Sequence, residues 1–363
     1  MIDKKLFRNN YFQLSLIVLT AIVLRFFFSA GHVFSDDAYY SYLSKVIFDE
    51  KGFSNYLGYP IFKLRSAHLL ITNIFYNIFG YGEFATLVFP FLISIASIFL
   101  AYIITELITK NKSLALLSSL LKSFFPVDIV FGSINFVDLH NAFFINSGIL
   151  LLFVAHKKES FGYSVLAGLL FAFSLQFKET FYFHWVLLAV LFIYLALKKK
   201  IFVLPILISL IVTFLYLIAE SVIYFIAYNN FFYRLSILQA NYIFSYYDFF
   251  PYTAQKLSGY KNYIKNLFDQ LILINGRSIF LRRFYLFIPI IASIQSIINI
   301  KKRDLLITTY WFAGLALMML AFTTSFWEYK PLDLKRSWYI YPLILPAIIL
   351  TTQFISRFNF KIK

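Results

Sequence analysis

The chain has 363 residues, of which 61% are hydrophobic, 21% aromatic and only 14% charged. A soluble domain is about half apolar and a quarter charged, so a soluble enzyme is excluded, together with disordered, collagen-like and coiled-coil chains. The absence of Cys excludes disulfides, zinc–thiolate centres and Cys nucleophiles, and the net charge of +16 takes its meaning from where it lies.

The apolar residues fall in runs of roughly 17–25, the length that crosses about 30 Å of hydrocarbon. Ten spans are predicted, at 12–30, 84–108, 114–130, 139–155, 161–176, 180–197, 201–227, 284–300, 305–325 and 337–356. The spans at 161–176 and 180–197 form a tight hairpin around Gln176-Phe177-Lys178-Glu179. The first span follows a basic start and is read as a retained anchor. With no internal repeat or soluble linker, residues 1–363 are read as one integral-membrane domain.

Basic residues orient the scheme. The segments 1–11, 109–113, 156–160, 198–200, 301–304 and 357–363 hold 16 Lys and Arg in 35 residues, whereas 31–83, 131–138, 177–179, 228–283 and 326–336 hold 15 in 131. That contrast is the positive-inside bias and predicts both termini in the cytoplasm of a cell-membrane protein. Cytoplasmic turns are three to five residues, while the exterior segments 31–83 and 228–283 are long. The chemistry is therefore sought on the exterior face.

The first exterior loop opens with Ser35-Asp36-Asp37-Ala38-Tyr39-Tyr40. Ser35 is a candidate N-cap, Tyr39/Tyr40, Leu43 and Val46/Ile47 recur at helical spacing, and Gly52 is a natural stop. The pattern predicts a short amphipathic helix on the membrane surface. Its positive end favours ionised Asp36 or Asp37 as proton acceptor or cation ligand, or simply as a cap. Lys63 and Arg65 are candidates for a lipid-linked phosphate or for ordinary headgroups, and His68 reads as structural.

Among residues within or near the spans, Arg25 is predicted to snorkel to the interface. Lys122 is predicted to face the bundle interior, with Asp128 as a partner at a spacing poor for one helix. Glu220 is predicted to line a cavity or cap a helix. Asp138-Leu-His140 places an acid and an imidazole two residues apart. No cofactor motif is present, and the one cofactor this pattern admits is a divalent cation on Asp36, Asp138 and His140. The stretch 228–283 interleaves Arg234, Lys256, Lys261, Lys265, Arg277, Arg282 and Arg283 with Tyr and Phe. An exterior location excludes nucleic acid and leaves an interfacial belt, or a lid and acceptor platform.

The order of features resembles the GT-C glycosyltransferases, in the branch of protein O-mannosyltransferases and aminoarabinose transferases. An acidic pair follows the first span, then "KLRSAHLLITNIFYNIFGYGEFATLVF", in which Phe79-Gly80-Tyr-Gly-Glu83 is the best local match. The family's Pro-Pro is absent, Phe62 stands where an acid is expected before Lys63, and Leu87 stands at the usual Arg. "NFVDLHNAFF" resembles the second exterior loop, where an Asp opens the fourth span, and Asp138 fits it. "GLLFAFSLQFKET" places Lys178 on the family's lysine, and Arg336-Ser-Trp-Tyr339-Ile-Tyr-Pro342 resembles the start of its last span.

The resemblance implies an all-α GT-C-like bundle of about ten transmembrane helices, with amphipathic helices in the first exterior loop. It implies transfer of a sugar from a polyprenyl-phosphate donor to a hydroxyl of a glycan, lipid or protein, with inversion, by a monomer surrounded by membrane lipids. Asp36 or Asp37 would then be the base with Asp138 as helper. Lys63, Arg65, Lys178 and Arg336 would hold the donor phosphate, and Tyr39, Tyr40, His140 and Tyr339 would line the substrate pocket. An O-antigen polymerase or ligase and a multi-pass transporter are the competing readings; the acidic pair after the first span disfavours the former, and long exterior loops with few Gly the latter.

Overall fold

In the computed structural model the described residues are 9–33, 36–46, 60–198, 203–240, 273–274, 277–278, 287–298, 306–321 and 339–357. They are helical almost throughout. The helices are α1 (Asn10–Phe27), α2 (Asp36–Lys45), α3 (Pro60–Lys63), α4 (Ser66–Phe79), α5 (Glu83–Thr109), α6 (Lys112–Ser123), α7 (Pro126–Phe131) and α8 (Val137–Lys158). They continue as α9 (Phe161–Leu175), α10 (Phe181–Leu197), α11 (Val203–Tyr228), α12 (233–240), α13 (Phe287–Ile298), α14 (Leu306–Ala321) and α15 (Ile344–Ile355). A 3₁₀ turn, Tyr341–Leu343, leads into α15, and a two-residue antiparallel pairing joins Leu273–Ile274 to Arg277–Ser278.

Among the described residues, α1, α5, α8 and α11 are long and apolar enough to cross a membrane, and five shorter apolar helices accompany them. The 27 residues of α5 extend about 40 Å at the α-helical rise. It stops where Lys110 takes a left-handed conformation (φ 54°), and Asn111 starts α6 by accepting from the Ser113 and Leu114 amides at 2.9 and 3.2 Å. The turn is so short because the backbone of one residue ends the first helix and the side chain of the next caps the second.

The span expected at 114–130 is not one helix. It breaks at Phe124–Phe125, because Pro126 has no N–H to donate and forces the preceding residue out of helical geometry; Phe125 is extended at φ −70°, ψ 116°. The chain restarts as the single-turn α7. The short connection expected around residues 176–179 is present, five residues joining α9 to α10, but the two helices splay apart and α9 packs against α8 and α11.

Packing is closest where side chains are smallest. A Cβ on Gly168 would lie 2.8 Å from the Ser209 carbonyl and 2.7 Å from Val212 Cβ, and one on Gly148 would lie 2.4 Å from the Phe171 ring. These two glycines let α9 lie against both α11 and α8, the small-residue contact that substitutes for a hydrophobic driving force between helices in lipid. The apolar α15 is buried from Ile344 to Leu350, against α5 and α8 through Leu345 and Ile349 and against α10 and α14 through Ala347 and Leu350. At the end of the bundle where α1 stops and α5 starts, α2 and α4 lay Tyr40, Leu43, Ala67 and Leu69 against Val137 and Phe177.

Candidate active site

The connection between α9 and α10 is fixed from below by Asn141 on α8. Its amide Nδ2 donates to the carbonyls of Ser174 and Lys178, each at 2.9 Å, and its Oδ1 accepts from Thr180 Oγ1 at 2.9 Å. Lys178 is thereby directed at Asp138 in the first turn of α8, and its ammonium donates to Asp138 Oδ1. Burial pushes the Lys178 pKa below the usual lysine range, with Asp138 opposing the shift. The Tyr339 ring lies 4.6 Å from Lys178 Nζ, a cation–π contact from the segment entering the last helix.

Arg65, at the start of α4, extends the charges away from this pair. Its Nη2 lies 3.7 Å from Glu179 Oε2, and its guanidinium covers the Tyr40 ring at 5.5 Å. Arg234 on α12 approaches Glu179 Oε1 from the other side at 3.8 Å. Arg234 itself is firmly held, Nη2 and Nε donating to the two oxygens of Glu220 at 2.6 and 2.9 Å and Nη2 also to the Leu64 carbonyl at 3.2 Å. Gln176 joins Glu220 to Ser66 through bonds of 2.6 and 2.5 Å. One buried tract thus links five elements in the order Asp138, Lys178, Arg65, Glu179, Arg234, Glu220. Lys63 stands half-buried on α3, its pKa lowered by burial.

The two acids of α2 part company because successive helical residues point about 100° apart. Asp37 is fully buried; its Oδ2 accepts the Val33 amide at 2.7 Å and lies 3.6 Å from His32 Nδ1. It holds the chain that leads into α2. Asp36 is exposed and lies close enough to Asp138 for their charges to act on one another. The helix is tied to the second connection by Asn135 Nδ2, which donates to Ser41 Oγ at 3.2 Å. Ser35, Gly52, Arg336, Lys256, Lys261, Lys265, Arg282 and Arg283 lie outside the described residues, and no side chain is described for Arg277.

The metal set expected at Asp36, Asp138 and His140 is not assembled. Two residues along a helix is a rotation of roughly 200°, so Asp138 and His140 point to opposite sides of α8. Asp138 meets Lys178, whereas His140 stacks on Phe89 at 4.5 Å and on Phe177 at 5.5 Å, with His68 at 5.2 Å. Among the described residues no three His, Asp or Glu side chains are placed to hold a metal ion. His140 and Tyr40, expected in the substrate pocket, have no exposed surface and sit in a buried aromatic cluster with His68, Phe62, Phe89 and Phe177. Burial first, then His140 and Arg65, hold the His68 pKa well below the usual imidazole range, consistent with its structural reading. Tyr39 is half-buried, its ring 4.6 Å from Phe62.

A second buried network lies deeper. Arg25 does not snorkel: it turns inward and donates to Asp128 Oδ2 and Ser94 Oγ, both at 2.6 Å, and to the Ala21 and Ser123 carbonyls at 3.2 Å. Lys122 donates to Asp128 Oδ1 at 2.5 Å, and the Tyr341 hydroxyl donates to the same oxygen. The i,i+6 pair Lys122–Asp128 closes because the chain breaks between them, the break that Pro126 imposes.

The sequence profile described as dolichyl-phosphate-mannose-protein mannosyltransferase matches residues 67–224, from α4 to α11. A solved oligosaccharyltransferase from Archaeoglobus fulgidus, tethered to an acceptor peptide, aligns over 94% of this chain and 49% of its own with a TM-score of 0.60 and 12% identity. ArnT from Cupriavidus metallidurans, bound to undecaprenyl phosphate, aligns over 94% and 60% with a TM-score of 0.57 and 16% identity. The fold is GT-C.

A GT-C bundle is a multi-pass membrane protein, and this chain spans about half the length of the oligosaccharyltransferases it matches. Another structure of the archaeal enzyme, AglB with an inhibitory peptide and a dolichol-phosphate, aligns over 96% of this chain and 50% of its own with a TM-score of 0.57 and 14% identity. No curated protein matches the sequence. Within the GT-C frame, sequence reasoning passed over Asn141, Gln176, Glu179 and the pairing of Arg234 with Glu220. The signal that finds the pair is that an acid at the end of a span demands a cation; applied to Glu220, it leads to a partner among the seven basic residues of 228–283.

Proposed function

We propose that this chain transfers a glycosyl group from a polyprenyl-phosphate-linked donor to a hydroxyl of a glycan, lipid or protein on the exterior face of a cell membrane, with inversion at the anomeric carbon. The observation that carries the reading is a buried tract of Lys178, Arg65 and Arg234 paired with Asp138 and Glu179, with the exposed carboxylate Asp36 within electrostatic reach of Asp138. The GT-C fold supports it, as does the undecaprenyl phosphate and dolichol-phosphate bound by the matched structures.

In this reading Asp36 takes the proton of the acceptor hydroxyl as its oxygen attacks the anomeric carbon. The bond from that carbon to the phosphate oxygen breaks, and the electron pair leaves with the lipid phosphate. Arg65 and Arg234, with Lys63 two residues before Arg65, stabilise the charge that develops there, and Arg336 keeps the phosphate-binding role that the family resemblance implies. Lys178 holds Asp138 and, with Tyr339 and Tyr39, walls the sugar. Asp37 is a positioning residue for α2. Residues 1–363 act as one domain and as a monomer, with both termini in the cytoplasm.

The test begins with deletion of the gene and mass spectrometry of surface glycans, lipids and glycoproteins. Loss of one sugar names donor and acceptor together, and an unchanged profile refutes the reading. Complementation with Asp36→Asn is expected to restore folded protein but to leave transfer about 10²–10⁴-fold below wild type; full complementation removes Asp36 as the base.

A further inference from the structure

Three polar atoms at the centre of the Arg65–Glu179–Arg234 group are buried without a hydrogen-bond partner: Arg65 Nε, Arg234 Nη1 and Glu179 Oε1. The two guanidiniums stand at 3.7 and 3.8 Å from the carboxylate, on opposite oxygens and outside hydrogen-bond distance. All three side chains are 10% exposed or less. Burying a charge without its hydrogen bonds is costly, so this arrangement is not there to stabilise the fold. Glu220 already fixes Arg234, and Asp138 already pairs with Lys178. Glu179 is therefore the carboxylate left facing the place where the unused guanidinium donors converge.

We propose that Glu179 is the charge-selecting residue of the phosphate site: it matches Arg65 and Arg234 to the single negative charge of a phosphodiester and disfavours a dianionic phosphomonoester. The proposal rests on reading this group as the place of the donor's phosphate. The donor is a phosphodiester. Transfer breaks its anomeric C–O bond and leaves the electron pair on the phosphate oxygen, so the lipid product is a monoester with one more ionisable oxygen. At neutral pH a monoester carries about −1.5 to −2. Both lipids meet the same cations, but the extra charge of the product meets the Glu179 carboxylate in a low-dielectric site, where repulsion is strong. Glu179 thus weakens product binding more than donor binding and drives the spent lipid out.

The experiment compares two probes on the full-length protein in detergent: undecaprenyl phosphate, a monoester, and its methyl ester, a diester, near pH ~8, where the monoester is dianionic. Glu179→Gln is expected to tighten the monoester about tenfold relative to the diester. Glu179→Asp is expected to keep the wild-type ratio. Glu179→Ser serves as a second neutral variant if the glutamine variant does not fold. A ratio unchanged by neutralising Glu179, or moved in favour of the diester, overturns the charge-selecting role. Failure of both probes to bind the wild type, or Arg65→Gln leaving both affinities unchanged, instead refutes the phosphate site itself.

Discussion

Among the described residues, two buried charge networks differ in completeness. Around Asp128, two cations, a tyrosine and a serine converge on one carboxylate, and none of these five side chains has a buried polar atom without a partner. Around Glu179, two guanidiniums approach one carboxylate and three buried polar atoms are left without partners. A buried ionic group that meets all its hydrogen bonds fixes one packing of its helices. One that does not is held open by the rest of the fold and is where a ligand gains most from binding. On the proposed reading, the first network holds the bundle together and the second meets the substrate.

Substitutions in the two networks test that separation, and their expected effects on stability are ordered. Asp128→Ala removes the common acceptor and leaves Arg25 and Lys122 as buried, uncompensated charges; thermal unfolding in detergent should show a loss of about 3–5 kcal/mol. A wild-type midpoint for that variant would break the comparison. Tyr341→Phe takes one donor from Asp128 but leaves Arg25, Lys122 and Ser94 in place, so it should cost about 1 kcal/mol in the same measurement. Arg65→Met removes a half-satisfied buried charge and keeps its packing volume. Its stability should stay within about 1 kcal/mol of wild type, while affinity for undecaprenyl phosphate falls at least about tenfold. A strongly destabilised Arg65→Met would place both networks in the same structural class.

Much of the architecture was legible in the chain. Hydropathy found α1, α5, α8 and α11 within a few residues, because a segment in lipid must satisfy its own backbone and so must be a long apolar helix. The break in the third span was written in Pro126, but hydropathy is blind to it, since Phe124, Phe125 and Val127 are as apolar as their neighbours. Asp138, Arg65 and Lys178, far apart in the sequence, lie in one buried tract, with Asp138 paired to Lys178 and Arg65 beside Glu179. Asp138 and His140 were paired by their nearness in sequence, and helical rotation separates them.

Composition, the spacing of apolar runs and the placement of Lys and Arg by themselves determined that this is a helical membrane protein with its polar chemistry concentrated in a few loops. They do so because the cost of putting charge and unpaired backbone into hydrocarbon acts on each segment independently. Which charges pair is decided by the fold alone. Arg25 meets Asp128 across 103 residues and Arg234 meets Leu64 across 170, distances at which no local pattern carries information. The distinction between a satisfied carboxylate at Asp128 and an unsatisfied one at Glu179 exists only once the helices have packed.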